Sequence, residues 1–264
     1  MSESEALLDL AEQAVDAGIA RLAHAGEEWS VRQFKASGEE VTAADLEVEK
    51  VVSAVLRRQA PGIPVVGEET ARRSVLPPRC WLLDPIDGTM NFTRGSPFHA
   101  ISLAYVEERH PRLGVIDAPA LGRRWRTGRE GRLPVSAPMA GTVSEAVIGL
   151  TGTGSGDPRC IGLLQSTAYR IRMQGAMSLD LVGVAEGWLD ACVCVRPKPW
   201  DVAAGTALVR ERGGTVLGAG GREFAFDSPV LVAGRTALAH AVLSLWESGS
   251  PGTAETAVRE GSGQ

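Results

Sequence analysis

The sequence predicts an α+β protein, because helical segments with one apolar face and short apolar strands occur together in both halves of the chain. Its 264 residues suffice for one large domain or two moderate ones, with an ample core. Hydrophobic residues make up 44% of the chain and charged residues 22%, as in ordinary globular proteins. The formal net charge of −5 provides no basic surface, so nucleic acid is not an expected partner.

The N-terminal part of the chain contains two predicted helices. The first covers residues 5–28, where apolar residues recur at helical spacing, and a connector over residues 29–40 follows. The second helix begins at Thr42, a typical N-cap residue, and Asp45 stands three residues later, as the acid of a capping box does. Asp45 is therefore explained equally well as a helix cap and as a functional acid.

A short strand is predicted at residues 63–66, after the helix-breaking pair Pro61-Gly62. It ends at Gly67, and two acids, Glu68 and Glu69, follow directly. Two acids after a glycine at the end of an apolar strand favour a loop that presents metal ligands. An exposed acidic turn is the ordinary alternative.

The most informative stretch is residues 80–89, which read CWLLDPIDGT. Its apolar run at residues 81–83 predicts a buried strand that turns sharply at Asp84 and Pro85. The carboxylates of Asp84 and Asp87 flank this turn, so both can face one point. Hard divalent cations bind oxygen ligands of this kind, although the same residue types also form plain surface turns.

Gly88 and Thr89 follow these carboxylates directly. Their backbone N–H groups, together with the Thr89 hydroxyl, can donate hydrogen bonds to an anion. The sequence therefore predicts that a phosphate oxygen binds beside the two aspartates.

The remaining elements are placed by apolar patterns and by glycine and proline punctuation. Strands are predicted at residues 98–106, 113–116, 124–127, 146–150, 169–173, 189–195, 215–217 and 230–232, and helices at residues 159–167, 175–186, 199–212 and 236–246. Asp201 lies in the first turn of the third of these helices, where the helix dipole favours any acid.

A segment rich in proline and small residues, 134–141, indicates a boundary between two halves. We predict an N-terminal α+β half at residues 1–135 and a C-terminal α/β half at residues 136–247. The polar tail, residues 248–264, is predicted to be disordered.

The four cysteines, at positions 80, 160, 192 and 194, have the spacing of neither a zinc site nor a disulfide framework. They are predicted to be reduced thiols, with Cys80 and Cys160 buried, which favours the cytoplasm. We see no signal peptide and no apolar run long enough to span a membrane.

Four segments of this sequence, in order, resemble motifs of the inositol monophosphatase family. That family belongs to a superfamily of Mg²⁺-dependent, lithium-sensitive phosphatases, which includes fructose-1,6-bisphosphatases and 3′-phosphoadenosine 5′-phosphate phosphatases. The segments are VTAAD at 41–45, GEE at 67–69, WLLDPIDGT at 81–89 with Asn91-Phe92, and WDVAAG at 200–205 with Gly213-Gly214. The resemblance covers residues 5–246. It implies a layered αβαβα fold, frequent homodimers and hydrolysis of a small phosphorylated cyclitol, sugar or nucleoside by metal-activated water.

The resemblance also implies a role for each residue of these motifs. Asp45 and Thr89 would orient the attacking water, with Lys35 nearby and Glu68 assisting catalysis. Two to three Mg²⁺ ions would be held by Glu68, Glu69, Asp84, the carbonyl of Ile86, Asp87 and Asp201, with Asp84 bridging two of them. Phosphate and substrate would contact Asp87, Gly88, Thr89, Gly175, Ala176, Cys194 and Asp201.

Two departures from the family pattern leave the substrate open. Inositol phosphatases of the family usually bind a substrate hydroxyl through an acid near the position of Cys194, and the nearest acid here is Asp190. The hairpin loop at 128–132 is short, and arginines at 123, 124, 126, 129 and 132 make it basic. These arginines indicate either a solvated surface or contact with a second anionic group. The alternatives are a 3′-phosphoadenosine 5′-phosphate or other bisphosphate nucleotidase, and a catalytically silent protein that binds metal or phosphate.

Overall fold

The structure is a computed structural model that describes residues 2–24, 33–34, 40–71, 75–128, 140–152 and 157–250. Its helices are α1 (Glu3–Leu22), α2 (Ala43–Gln59), α3 (Thr89–Thr93), α4 (Pro158–Thr167), α5 (Met177–Glu186), α6 (Pro199–Glu211) and α7 (Thr236–Ser248). Its strands are β1 (Gln33–Phe34), β2 (Glu40–Val41), β3 (Val65–Gly67), β4 (Arg79–Asp87), β5 (Ala100–Glu107), β6 (His110–Ala118), β7 (Arg123–Arg126), β8 (Val147–Gly152), β9 (Arg170–Arg172), β10 (Ala191–Val195), β11 (Thr215–Leu217) and β12 (Val230–Gly234).

The strands form two five-stranded sheets and one small pair, β1-β2. In the first sheet the order is β3-β4-β5-β6-β7, with β3 parallel to β4 and the other neighbours antiparallel. In the second sheet the order is β11-β12-β10-β8-β9, with β8 parallel to both β10 and β9. The chain completes the first sheet before it enters the second.

Helices cover both faces of each sheet. On the outer face of the first sheet, α1 and α2 pack through residues such as Val48 and Val52 against Trp81 of β4. Helices α5 and α6 lie between the sheets, where Leu181 belongs to a core cluster shared by strands of both. Helices α4 and α7 cover the outer face of the second sheet. This order of layers confirms the predicted αβαβα fold.

The central strand differs from the prediction. Strand β4 continues through Asp84 and Pro85 to Asp87, and the sharp turn comes at Gly88, where φ is 86°. The register between β4 and β5 shifts between Asp84 and Asp87. Because Pro85 lies within this irregular stretch, its missing N–H does not interrupt a regular ladder.

The N-terminal helix is also shorter than predicted, because it ends at Leu22. Just after this end, a ring nitrogen of His24 forms a hydrogen bond with the Ala20 carbonyl. Residues 134–139 of the predicted boundary and residues 251–264 of the predicted tail lie outside the described residues. All four cysteines are free thiols, as predicted; Cys80 and Cys160 are buried as predicted, and Cys192 and Cys194 are buried as well. None of the helices within the described ranges is both long and apolar enough to cross a membrane.

Helix α6 contacts its neighbours at glycines. A Cβ atom at Gly114 of β6 would lie 2.6 Å from the backbone oxygen of Ala204, and one at Gly205 would lie 2.4 Å from Cβ of Leu181 on α5. Both positions therefore exclude any side chain. This close approach holds α5 and α6 against the first sheet, whose strand β4 ends at the predicted metal ligands Asp84 and Asp87.

We expect Gly114→Ala to lower the free energy of unfolding by about 1–3 kcal/mol, because the methyl group meets backbone that cannot rotate away. Gly62→Ala is the matched control, since a Cβ there would meet nothing within 4 Å. Urea unfolding of both variants measures the difference. Equal stability of the two variants would show that the α6–β6 contact is not as close as described.

Candidate active site

Asp84 lies at the centre of a group of acids that we call the acidic cluster: Asp45, Glu68, Asp84, Asp87 and Asp201. The side chain of Asp84 is buried, and its Oδ1 accepts a hydrogen bond from the Ile86 N–H at 3.1 Å. Burial and the negative charges of the other four acids, Glu68 first, raise the pKa of Asp84 well above its usual range. The fold therefore brings together acids from α2, the end of β3, β4 and α6.

Asp87 connects the two halves of the chain. Its Oδ1 accepts a hydrogen bond from the Met177 N–H at 3.2 Å, and its Oδ2 accepts one from the Ser178 N–H at 2.7 Å and another from the Ser178 hydroxyl. Burial raises the pKa of Asp87 to about 7, and these hydrogen bonds oppose the rise. Asp87 thus caps the N-terminus of α5 from the end of β4.

Asp45 caps a helix, as one of the two explanations predicts, and its functional role stays a prediction. Its Oδ2 accepts hydrogen bonds from the Thr42 N–H at 2.7 Å and the Thr42 hydroxyl at 2.6 Å, so it closes the capping box of α2. The Thr89 hydroxyl lies 3.2 Å from Oδ1 of Asp45 and 3.0 Å from the Ile86 carbonyl, and donates to one of them at a time. Burial raises the pKa of Asp45 to about 6.

The remaining acids are anchored through the backbone. The Glu68 N–H donates to the Leu83 carbonyl at 3.0 Å, and the Glu69 N–H donates to Oε2 of Glu49 at 2.8 Å. Oδ2 of Asp201 accepts the N–H of Lys198 at 2.8 Å, in the first turn of α6. Asp201 therefore acts as a helix-terminal acid and also faces Asp84.

Within the ranges that the structure describes, no group of three or more acidic, histidine or cysteine side chains is arranged to hold a metal ion. Asp45, Asp87 and Asp201 each turn at least one oxygen toward a helix N-terminus. The charges that act most strongly on buried Asp84 are nevertheless all negative. This surplus of carboxylate oxygens fits hard cations such as Mg²⁺.

The predicted phosphate-binding residues of the two halves lie side by side. A Cβ at Gly88 would meet the Phe98 carbonyl at 2.9 Å, the Ala176 Cβ at 3.3 Å and the Gly175 carbonyl at 3.3 Å. Gly88 and Gly175 both have positive φ, of 86° and 78°. Glycine is favoured at both positions because the backbone is left-handed and, at Gly88, because the chains approach closely.

A polar chain that the motif analysis missed holds these two segments together. Nδ2 of Asn91 donates to the carbonyls of Phe98 and Gln174, each at 2.7 Å. Nε2 of Gln174 donates to Oδ1 of Asp180 at 2.8 Å, and the Thr151 hydroxyl donates to Oδ2 at 2.6 Å. Burial raises the pKa of Asp180 to about 6. The only sequence signal was an acid within the apolar helix α5.

Cys194 has no exposed surface. Its thiol faces that of Cys192, and the hydrogen bond between them, together with burial, raises the pKa of Cys194 well above its usual range. A substrate could reach this thiol only if neighbouring groups moved. The predicted substrate contact at Cys194 therefore gains no support from the geometry.

Two of the three arginines of β7, Arg124 and Arg126, pair with acids rather than with the site, and Arg123 lies over the Trp125 ring. Arg124 contacts Asp117 and Asp16, each at 2.6 Å, and Arg126 contacts Glu12 at 3.3 Å. These pairs tie β7 to α1, which favours the solvated-surface interpretation. Three further residues with a predicted role lie outside the described residues: Arg129, Arg132 and Lys35.

Comparison with known proteins agrees with this geometry. Residues 3–250 match the sequence profile of the inositol monophosphatase family. A fructose-1,6-bisphosphatase/inositol-1-monophosphatase of Thermotoga maritima is 34% identical over 69% of this chain and 73% of its own length. A histidinol-phosphatase of Mycobacterium tuberculosis is 38% identical over 66% of this chain and 72% of its own length. The solved structure of a Thermotoga maritima IMPase, 28% identical, superposes with a TM-score of 0.76 over 94% of this chain and 98% of that one. The chain belongs to the inositol monophosphatase family.

Proposed function

We propose that this chain hydrolyses a small phosphate monoester in a reaction that requires Mg²⁺. The observation that carries the proposal is the burial of Asp84 among four other acids. Buried like charges strongly disfavour one another unless protons or cations neutralise them. The two relatives described above, both named as phosphatases, support the same reaction class.

In this proposal the ligands keep the roles that the family motifs imply. Glu68, Asp84 and the Ile86 carbonyl hold one ion, and Asp84, Asp87 and Asp201 hold a second. Glu69 is an outer ligand or binds a third ion. Glu68 and Glu69 are partly exposed, whereas the three aspartates are buried, so the cluster is open on the glutamate side.

Bound Mg²⁺ supplies positive charge that makes water easier to ionise and stabilises the phosphoryl group during transfer. The chain positions the reacting groups. Thr89 lies between Asp45 and the Ile86 carbonyl, where its hydroxyl can pass a proton from water to Asp45. Asp45 would act as the general base, since its Oδ1 lies within hydrogen-bond distance of the Thr89 hydroxyl. Lys35 stays a predicted neighbour of the water.

In this proposal the N–H groups of Gly88 and Thr89 donate hydrogen bonds to phosphate oxygens. Gly175 and Ala176 of the second half lie next to Gly88. The alcohol part of the substrate is a cyclitol, sugar or nucleoside in this proposal. Without an acid at Cys194, myo-inositol 1-phosphate is disfavoured among the cyclitols. Homodimer formation stays a prediction.

A phosphate-release assay tests the function directly. The panel contains inositol phosphates, sugar phosphates, histidinol phosphate and 3′-phosphoadenosine 5′-phosphate, each with and without Mg²⁺. Mg²⁺-dependent release from a monophosphate supports the proposal. Preference for the bisphosphate nucleotide would favour the nucleotidase alternative, and no release from any compound would favour the silent alternative.

Asp201→Asn should reduce kcat by about 100-fold, or about 2.7 kcal/mol in activation free energy, because it removes one charge that faces Asp84. Asp117→Asn is the matched control, since both aspartates are 8% exposed but Asp117 pairs with Arg124 instead. The control should lose stability and keep its Mg²⁺-dependent turnover. Near-normal kcat in Asp201→Asn, measured at saturating Mg²⁺, would contradict the ligand assignment.

Without divalent cations, the stability of the wild type relative to Asp87→Asn should fall as the pH rises from about 5 to about 8. The pKa of Asp87 is raised from 3.8 to about 7 in the folded protein, so the native state holds this proton more tightly than the unfolded state. Its stabilising contribution is complete below pH 3.8 and is lost as the pH passes about 7.

Urea unfolding in EDTA at several pH values, compared between the two proteins, measures this slope. The comparison removes contributions that both proteins share, such as that of buried His99, whose pKa is lowered by burial. At pH of about 8, added Mg²⁺ should stabilise the wild type more than the variant. Parallel pH profiles would show that Asp87 is not protonated in the metal-free fold.

A further inference from the structure

Glu49 is a buried acid to which neither the motifs nor the proposed mechanism assigns a role. It lies on α2 one turn after Asp45 and is only 2% exposed. Its Oε2 accepts the backbone N–H of Glu69 at 2.8 Å. Its Oε1 is buried and has no hydrogen-bond partner among the described residues.

Gly67 makes room for this carboxylate. A Cβ atom at Gly67 would lie 2.3 Å from both the carboxyl carbon and Oε2 of Glu49, so a side chain at position 67 would force this carboxylate to move. Glycine leaves room for the Glu49 carboxylate beside the end of β3.

The buried Glu49 carboxylate contributes little to the stability of the fold. A buried carboxylate needs several hydrogen bonds or a cation to offset its lost hydration, and Glu49 has one short backbone bond. An apolar residue of similar size would fill the same space without a buried charge. The buried Glu49 carboxylate is unfavourable for stability, and it accepts a hydrogen bond from the Glu69 N–H. This combination suggests that the position of the Glu69 N–H is important.

We propose that Glu49 is a positioning residue. It fixes the turn that carries Glu68 and Glu69, so that the carboxylates of these two residues face the aspartates of the acidic cluster. Two hydrogen bonds tie the turn to neighbouring elements. The Glu68 N–H donates to the Leu83 carbonyl on β4, and the Glu69 N–H donates to Oε2 of Glu49 on α2. Loss of the Glu49 carboxylate removes the bond to α2.

This inference rests on the proposed function, in which Glu68 and Glu69 bind Mg²⁺. Glu49 acts through the backbone of the turn and touches no substrate. Its loss should therefore weaken Mg²⁺ binding while leaving the chemistry at saturating Mg²⁺ nearly intact. Helix α2 keeps its apolar contacts, including those of Val48 and Val52, so its place in the fold does not depend on Glu49.

The test compares wild type with Glu49→Ala, Glu49→Gln and Ser53→Ala. Glutamine keeps the volume and an acceptor oxygen for the Glu69 N–H. Ser53 is the matched control, because it lies one turn further along α2 and is 3% exposed. Isothermal titration calorimetry measures Mg²⁺ binding without substrate, phosphate release measures turnover, and thermal unfolding in EDTA measures the metal-free fold.

We expect Glu49→Ala to weaken Mg²⁺ binding about tenfold, to raise the Mg²⁺ concentration for half-maximal turnover by a similar factor, and to change kcat at saturating Mg²⁺ by less than about twofold. Its Tm in EDTA should not fall, since a buried charge has been removed. Glu49→Gln should stay within about threefold of wild type in Mg²⁺ affinity, and Ser53→Ala should match wild type.

Wild-type Mg²⁺ affinity in Glu49→Ala would overturn this inference and leave the proposed function intact. If Glu49→Ala does not fold, Glu49→Asp decides, because its shorter side chain withdraws the acceptor at constant charge. Normal Mg²⁺ affinity in Glu49→Asp would likewise overturn the inference, and a similar loss would support it. Absence of Mg²⁺ binding in both wild type and Ser53→Ala would overturn the proposed function together with the inference.

Discussion

The hydrogen bonds from the first turn of α5 to the Asp87 carboxylate connect the two sheets at the site. Strand β4 ends at Asp87, and α5 belongs to the middle layer. This contact therefore fixes the position of the second half of the chain relative to the first. The adjacent placement of Gly88 and Gly175 follows from it, as does the polar chain through Asn91. An anion bound beside Gly88 would therefore be enclosed by both halves, although each half forms its own sheet.

The acidic cluster works against the stability of the fold that holds it. Burial raises the pKa values of Asp45, Asp84 and Asp87, so each ionised carboxylate destabilises the native state. The apolar clusters on either side of the first sheet offset this penalty, with Leu83 on the outer face and Leu82 on the inner one. Strand β4 thus carries fully buried core residues together with two carboxylates whose pKa values are raised by burial, which is typical of a functional site.

The sequence predicts those features whose causes are local. Thr42 and Asp45 form their capping box because the two residues are three apart on the chain, and nothing distant is needed. The strands of the two five-stranded sheets and most helices follow from apolar periodicity in the same way, whereas the short pair β1-β2 was not predicted. The meeting of Asp84 with Asp201 is not local, and it was predicted only through the family motifs. The path of β4 past Pro85 was missed because the bulge depends on pairing with β5.

Contacts between a side chain and a distant backbone leave little trace in sequence. Glu49 and Asp180 look like surface or helix-face acids until the structure shows their partners, the Glu69 N–H and the Gln174 amide. The position of Cys194 is hard to predict for a different reason. Strand β10 is buried on both faces, so the alternation of its side chains does not show which face meets the site. Specificity at this site is therefore best sought in the polar chain beside Gly175. That chain borders Gly175, a predicted substrate contact, and its residues come from both halves of the chain.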